Sequence, residues 1–461
     1  MIQWLLLTLV SMSTQIPIPT DSHTPPPNII FIVSDDAGYS DFGFQDSDDV
    51  ETPNLDALCA SGVRFEQAYV TASVCSPSRA GLITGRYQQR IGYEHNIPVG
   101  GPHGLPGDTI TIADRLQQAR YTTSAIGKWH LGYKPEMRPL EQGFDRFHGL
   151  LAGSRHYKPY DNDTKRGNYR VRVDDEVIAD EPATFAWFTD YLGEVASEQI
   201  RELAPSGPYF MYLCFTAPHT PMQASAEDLA AVGGVPSKRK TYRAMQRALD
   251  RAIGEVVSAV DASGEADNTI IWFVNDNGGA TNNGSDNGLL RGMKGSKFEG
   301  GVRVPMLLRW PGVTQPGQFY LPAVSTLDMA ATVLAATNAN VSDIDGVDLR
   351  PFLVGEDRST PHEFLYWRRG PVASVLQNGR WKLIRVEDDQ YMLFDIRDDV
   401  NERIDLAPLY AARVARMQKA LEAWESQMQP PGSASGERWR SNQIKKHQAD
   451  VDSRAKERAL P

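Results

Sequence analysis

Asp35-Asp36 and Asp276-Asn277 are two short runs of hard oxygen donors, each placed just after an apolar run of strand length. Such donors suit a divalent cation, Ca²⁺ before Mg²⁺, because Mg²⁺ holds its waters more tightly. No Cys or His spacing has the form of a zinc site. Asp after a strand more often closes a turn or caps a helix. Two adjacent carboxylates in one crevice, however, repel each other unless a cation lies between them, and this favours ligation. Arg79, Lys128, His130, His219 and Lys294 add a cationic set to a chain whose 47 Lys plus Arg face 58 Asp plus Glu, a net charge of −11. Taken singly, the lysines read as solvated, His219 as a cap and Arg79 as a carboxylate's partner. Taken together, positive groups in an acidic molecule point to one anionic substrate group bound at one place.

These residues need elements that bring them together. Asn28 to Val33, Pro208 to Phe215 and Thr269 to Val274 are continuous apolar runs, as expected of strands buried on both faces of a parallel sheet. They end in Ser34-Asp35-Asp36, in Thr216-Ala217-Pro218-His219 and in Asn275-Asp276-Asn277-Gly278-Gly279. Between the last two strands, Met245, Leu249, Ile253, Val256 and Val260 recur at three-to-four spacing and predict a helix over Thr241 to Val260. Strands alternating with helices predict a doubly wound α/β fold, a mixed and mostly parallel sheet flanked by helices. Ligands of such sheets sit beyond the carboxyl ends of the strands, so the polar termini should share one crevice. Beyond Gly346, short strands over Phe364 to Trp367, Val372 to Leu376, Trp381 to Val386 and Tyr391 to Ile396 are separated by Arg369-Gly370, Asn378-Gly379 and Asp388-Asp389. These are hairpin turns. With a helix over Leu409 to Met428 they predict a smaller C-terminal α+β subdomain built on an antiparallel sheet.

The 461 residues then divide into a signal peptide and linker (1–26), a catalytic domain (27–345), the subdomain (346–430) and a polar tail (431–461) expected to be disordered. The acidic balance excludes a broadly basic nucleic-acid binder, so no nucleic acid is expected as a partner. Trp4 to Val10 has the length of a signal-peptide apolar segment, without a basic start, and no later run reaches membrane-spanning length. Export without a membrane span is the expectation. Three cysteines are too few for a disulfide framework; Cys59 and Cys214 read as packing, which leaves Cys75.

Cys75-Ser76-Pro77-Ser78-Arg79, continuing to Gly85-Arg86-Tyr87, is the most informative stretch. Alone, a cysteine in a polar turn followed by Arg is a candidate low-pKa nucleophile. The whole string resembles the signature of the formylglycine-dependent sulfatases, whose C-x-P-x-R cysteine is oxidised to an aldehyde-bearing residue. Gly127-Lys128-Trp129-His130-Leu131-Gly132 resembles their second signature, with Arg120 standing where that pattern has a Gly serving the turn into the strand. Asp35-Asp36, Pro218-His219, Asp276 to Gly279, Lys294 with Glu299-Gly300-Gly301, and Leu393-Phe394-Asp395 with Glu402 and Leu406-Ala407 follow in the family's order. The resemblance implies an alkaline-phosphatase-like fold and conversion of Cys75 to formylglycine (3-oxoalanine) by a formylglycine-generating maturation enzyme. It also implies a Ca²⁺ held by Asp35, Asp36, residue 75 (Cys75), Asp276 and Asn277. Hydrated residue 75 would then attack sulfur, oriented by Arg79, while Lys128 and Lys294 hold sulfate oxygens. His219 with Lys294 would protonate the leaving alcohol, and His130 would take the second hydroxyl's proton as sulfate departs.

Substrate choice lies in the loops Glu94 to His103, Ser154 to Lys165 and Asn282 to Arg291, where His95, Arg155, His156 and Arg291 are candidate contacts. Polar loops and export favour a sulfated polysaccharide or oligosaccharide over steroid or aryl sulfates. Within carbohydrates, the sequence resembles bacterial enzymes acting on carrageenan, ulvan or glycosaminoglycan fragments. The nearest rival reading is a phosphonate or phosphate diester hydrolase with the same modified cysteine. A rival of another class is a non-catalytic carbohydrate-binding relative with Cys75 unmodified. Glycosylation sequons begin at Asn162, Asn283 and Asn340.

Overall fold

A computed structural model of the chain describes residues 25–161, 167–387, 390–431 and 437–458, the last eleven of these as backbone only. The expected signal peptide, the Asn162 sequon and the Asp388-Asp389 turn lie outside them.

The strands of the main body are β1 (Asn28–Ser34), β2 (Val63–Phe65), β3 (Ala68–Tyr69), β4 (Thr122–Lys128), β5 (Arg146–Leu150) and β6 (Arg172–Val173). They continue as β7 (Glu176–Val177), β8 (Tyr209–Cys214), β9 (Thr269–Asn275), β10 (Met306–Arg309), β11 (Gln318–Tyr320) and β12 (Val324–Ser325). Ten of them form one sheet in the order β11-β2-β10-β9-β1-β8-β4-β5-β6-β7. Its centre, β9-β1-β8-β4-β5, is parallel, whereas β10 runs antiparallel to β9 and β6 antiparallel to β5. The continuous apolar runs are explained by cover on both faces. Ile29, Phe31 and Val33 enter one core with the helices Cys75–Thr84, Ile112–Gln118 and Thr326–Ala336; Ile30 and Ile32 enter another with Phe188–Leu203 and Lys238–Ala262. Each such side chain contributes roughly 1.5–3 kcal/mol on burial.

Register is what matters for the site. Ser34 pairs with Asn275, and Val33 pairs with both Val274 and Cys214, so β1, β8 and β9 finish level. Asp35, Thr216 and Asp276 therefore leave the sheet at one edge. On β4, Gly127 has φ +90°, and a Cβ there would stand 2.0 Å from the Cys214 carbonyl oxygen, so only glycine fits just before Lys128. At the entry to the same strand Arg120 itself takes the left-handed conformation, φ +69°, that the expected glycine would adopt freely.

The C-terminal strands β13 (Phe364–Arg369), β14 (Val372–Gln377), β15 (Trp381–Val386) and β16 (Gln390–Asp395) form an antiparallel sheet in sequence order. The helix Ala411–Glu425 lays Met417, Leu421 and Trp424 against Val375, Leu383 and Leu393. Trp367 Nε1 donates to the Val70 carbonyl at 2.6 Å, and the buried Lys382 reaches Glu299 at 2.6 Å, which fastens this sheet to the main body.

The tail departs from the expectation of disorder, because Glu437–Arg458 is a helix. Trp439 meets His95 edge-on with ring centroids 4.5 Å apart, Ile444 joins the core of the C-terminal sheet, and His447 Nε2 accepts from the Lys297 backbone N–H at 3.1 Å. These few anchors share one side of a charge-rich segment, too sparse a stripe to register as a hydrophobic period.

Candidate active site

At the end of β1 the Asp35 N–H donates to the Ala217 carbonyl, and the Asp276 N–H donates to the Ser34 carbonyl, both at 3.1 Å, so three strand ends are tied to one another. Asp36 then turns at φ +67°. His130, just past β4, is likewise left-handed at φ +58°. Each such non-glycine residue costs about 1–3 kcal/mol and persists only where its surroundings enforce it. For Asp36 part of that enforcement is Asn283, whose Nδ2 donates to the Asp36 carbonyl at 2.9 Å. Asn283 is fully buried, so its sequon offers no acceptor for a glycan.

Cys75 is the first residue of the helix Cys75–Thr84, all of whose ten residues are buried, and it stands at the positive end of the helix dipole. Its Sγ lies 3.6 Å from Asp35 Oδ1 and 3.9 Å from Asp36 Oδ1, and Lys294 Nζ approaches it at 2.9 Å. Burial pushes the thiol up to about 12, against the pull of Lys128 and Lys294. Unmodified, this thiol is held toward its protonated form, which does not favour the low-pKa nucleophile reading.

Cations surround this point. Lys294 Nζ also contacts Asp36 Oδ1 at 2.6 Å, and Lys128 Nζ contacts Asp35 Oδ2 at 2.6 Å with neither side chain exposed. Burial favours the neutral acids, but Lys128 and His219 acting on Asp35, and Lys294 and His219 acting on Asp36, hold both carboxyls below their ordinary range. Arg79 directs its donors to Asp276 and to the Lys128 carbonyl, so it bears on residue 75 through those neighbours. Asp276 itself is pushed up to about 6 by burial and by Asp35, with Arg79 opposing. Burial, Lys128 and Arg79 drive His130 well below the ordinary histidine value, and its buried Nδ1 has no hydrogen-bond partner among the described residues. His130 is thus held toward its neutral form. His219 Nδ1 sits 2.6 Å from the Thr220 carbonyl, a contact that assigns a proton to Nδ1 and leaves Nε2, 3.5 Å from Asp36 Oδ2, facing the site.

The donor set fits a hard cation. Ligand atoms of Asp35, Asp36, Cys75 and His219 all lie within 4.8 Å of one another, and His219 was not among the ligands expected from sequence. Asn277 donates to Asp36 Oδ1 at 2.8 Å while its own buried Oδ1 has no partner among the described residues, an orphan acceptor that a cation would satisfy. Asp276 Oδ1 completes the group by accepting from the Asp36 N–H at 3.3 Å. Sulfur is the softest donor, and an oxygen at residue 75 would leave the His219 nitrogen as the one ligand atom in the group that is not oxygen.

The expected substrate contacts divide. His156 is exposed and, with Tyr160, Tyr169, Thr220 and Pro221, lines a cavity of about 500 Å³ next to His219. Arg155 also borders that cavity, but its guanidinium is held in a buried ion pair with Glu181 at 2.7 Å and lies 4.5 Å from the Phe188 ring centroid. Arg291 also turns elsewhere, 3.8 Å over the Phe298 ring and donating to the Glu402 carbonyl at 2.7 Å. His95 packs on Trp439, and burial, with Arg369 and Lys297 nearby, pushes it down to about 4. Both guanidinium groups are thus engaged by other groups of the chain.

Comparison with known proteins gives one consistent picture. The family model described as Sulfatase matches residues 27–339, and the one described as N-sulphoglucosamine sulphohydrolase, C-terminal, matches 293–427. N-acetylgalactosamine-6-sulfatase of Canis lupus familiaris is 33% identical over 381 residues, 77% of this chain and 71% of that protein. Arylsulfatase J of Mus musculus is 32% identical over 374 residues, 78% of this chain but only 60% of that longer protein. The crystal structure of Ps i-CgsB in complex with k-i-k-neocarrahexaose superposes with a TM-score of 0.84 at 34% identity, covering 93% of this chain and 98% of that one.

Proposed function

The chain belongs to the sulfatase family, and from that premise we propose that it hydrolyses the sulfate ester of a sulfated carbohydrate, with residue 75 matured to formylglycine and Ca²⁺ held by Asp35, Asp36, Asp276 and Asn277. One observation carries this reading. Lys294 Nζ touches both Cys75 Sγ and Asp36 Oδ1, so a cation stands between the position of the nucleophile and the metal-binding carboxylates.

The matured residue, hydrated, would supply the attacking hydroxyl, and Ca²⁺ would supply charge that orients and polarises the sulfate. The remaining work falls to the chain's own groups. Lys294 and Lys128 flank residue 75 and neutralise charge on the sulfate oxygens. His219 presents Nε2 to the site, where a proton held there can pass to the departing sugar oxygen as the S–O bond breaks. His130, kept neutral, is the base for the second hydroxyl's proton, which is lost as sulfate is expelled. The cavity beside His219, edged by Tyr160 and Tyr169, gives the saccharide a place on the leaving-group side. Export to an extracellular or periplasmic location, with a formylglycine-generating enzyme as partner, belongs to the same proposal.

Protein made together with such an enzyme tests it. The mass of the peptide containing residue 75 should show conversion to formylglycine, and the converted protein should release sulfate from sulfated oligosaccharides. Conversion without release, or faster cleavage of a matched phosphate diester, would overturn the proposal.

A further inference from the structure

Arg368 and Arg369 stand side by side at the end of β13, in unlike surroundings. Arg368 reaches Glu94 Oε1 through Nη2 at 2.7 Å and Nε at 2.9 Å, so its charge is answered within the chain. Among the described residues, Arg369 has no ion pair to a carboxylate and its buried Nε has no hydrogen-bond partner. Its guanidinium rests 4.9 Å from the ring centroid of Trp439 on the C-terminal helix. Burial draws its pKa down to about 10, with Glu94 opposing. A desolvated guanidinium without a counter-ion is a place where an external anion gains most.

The free end of this side chain points to the rim of the catalytic crevice. Arg369 Nη1 lies 3.2 Å, and Lys446 Nζ 3.6 Å, from the point where a Cβ on Gly295 would stand. Lys446 Nζ donates to the Lys294 carbonyl at 2.9 Å, and Lys294 in turn reaches Cys75 Sγ. Two cations, one from the C-terminal sheet and one from the C-terminal helix, thus converge beside the loop that carries Lys294. Gly295, at φ +86°, leaves the space between them open.

We propose that Arg369 and Lys446 form a second anion site, which takes a sulfate or carboxylate of the substrate other than the sulfate hydrolysed and so selects saccharides bearing at least two negative groups. The inference rests on the carbohydrate-sulfatase reading and deepens it.

Binding by the full chain with Cys75 unmodified tests it without dependence on turnover. Titration calorimetry compares a disulfated disaccharide, and a monosulfated disaccharide that also carries a uronate, with a neutral-sugar counterpart sharing the one ring sulfate. The wild type should bind the doubly charged ligands about 10–100-fold more tightly, whichever of them matches the spacing, as for a charge-assisted contact. Arg369→Ala should abolish that preference, Arg369→Lys should keep part of it, and Lys446→Gln should lose a smaller part. No preference in the wild type, or an equal preference in Arg369→Ala, would overturn the second site. Should Arg369→Ala fail to fold on thermal melting, an undiminished preference in both Arg369→Lys and Lys446→Gln would overturn it instead. Hydrolysis of a singly charged aryl sulfate by matured wild type separates the two claims. Turnover without a binding preference removes only the second site, whereas an Arg369-dependent preference without turnover removes only the sulfatase reading.

Discussion

Arg79 Nη2 and Asp276 Oδ2 lie 2.8 Å apart with side chains 0% and 1% exposed, a sealed ion pair that ties the helix beginning at Cys75 to the end of β9. Removing one member leaves a buried charge unanswered, whereas removing both does not. Arg79→Ala should therefore lose about 3–5 kcal/mol of stability by urea denaturation, and Arg79→Ala with Asp276→Asn should recover part of that loss. A single variant as stable as wild type would mean that Arg79 does not hold Asp276 in place.

Chelation should abolish sulfate release, and Ca²⁺ should restore it. The same ion should raise the melting temperature, since a ligand at a hundred times its Kd stabilises the fold by about 2.7 kcal/mol. In Asp35→Ala with Asp36→Ala the Ca²⁺-dependent rise should vanish. Restoration by Zn²⁺ alone would contradict the oxygen-donor assignment.

His219→Ala should slow cleavage of sugar sulfates by roughly 10²–10⁴-fold, because sugars leave poorly without a proton. Activated aryl sulfates, which leave unaided, should lose far less. Equal losses on both, read from kcat/KM, would show that His219 does not serve as the acid.

His362 Nε2 lies 2.9 and 2.8 Å from the two carboxylate oxygens of Asp328, which caps the helix Thr326–Ala336. Burial lowers the histidine's pKa, but Asp328 outweighs it and the net direction is upward from 6.5. A raised folded pKa contributes stability that is complete below the ordinary histidine value and fades as pH rises through the folded one. Wild type should exceed His362→Gln by about 1–2 kcal/mol at pH 5.5 and by less at pH 8.5. A gap that widens with pH would reverse the assignment.

Arg120 is exposed and left-handed, φ +69°. Arg120→Gly should raise stability by about 1 kcal/mol, the relief of backbone strain less the greater entropy glycine has when unfolded. An unchanged or lowered melting temperature would show that this turn carries no strain.

The parallel centre of the sheet was legible because β1, β8 and β9 are apolar on both faces and end in polar residues. Asn378-Gly379 was legible as a hairpin because both residues take positive φ, 50° and 61°, as that dipeptide does in a tight turn. The cluster of Asp35, Asp36, Cys75, His219 and Lys294 followed from motif order. What a single sequence cannot display is the partner of a charge. Arg155 meets Glu181 and Arg291 meets the Glu402 carbonyl, pairings made by the fold alone, so both looked available for substrate. The tail failed for a related reason: Trp439 was one aromatic in a charged stretch until the surface it docks on was in view.

Because the helix Glu437–Arg458 meets the Lys294 carbonyl through Lys446 and His95 through Trp439, it forms part of the crevice wall. Removing that helix should alter which saccharides are accepted while leaving the residues around Cys75 in place. Exchange of that segment alone between related enzymes offers a way to retune recognition without rebuilding the catalytic centre.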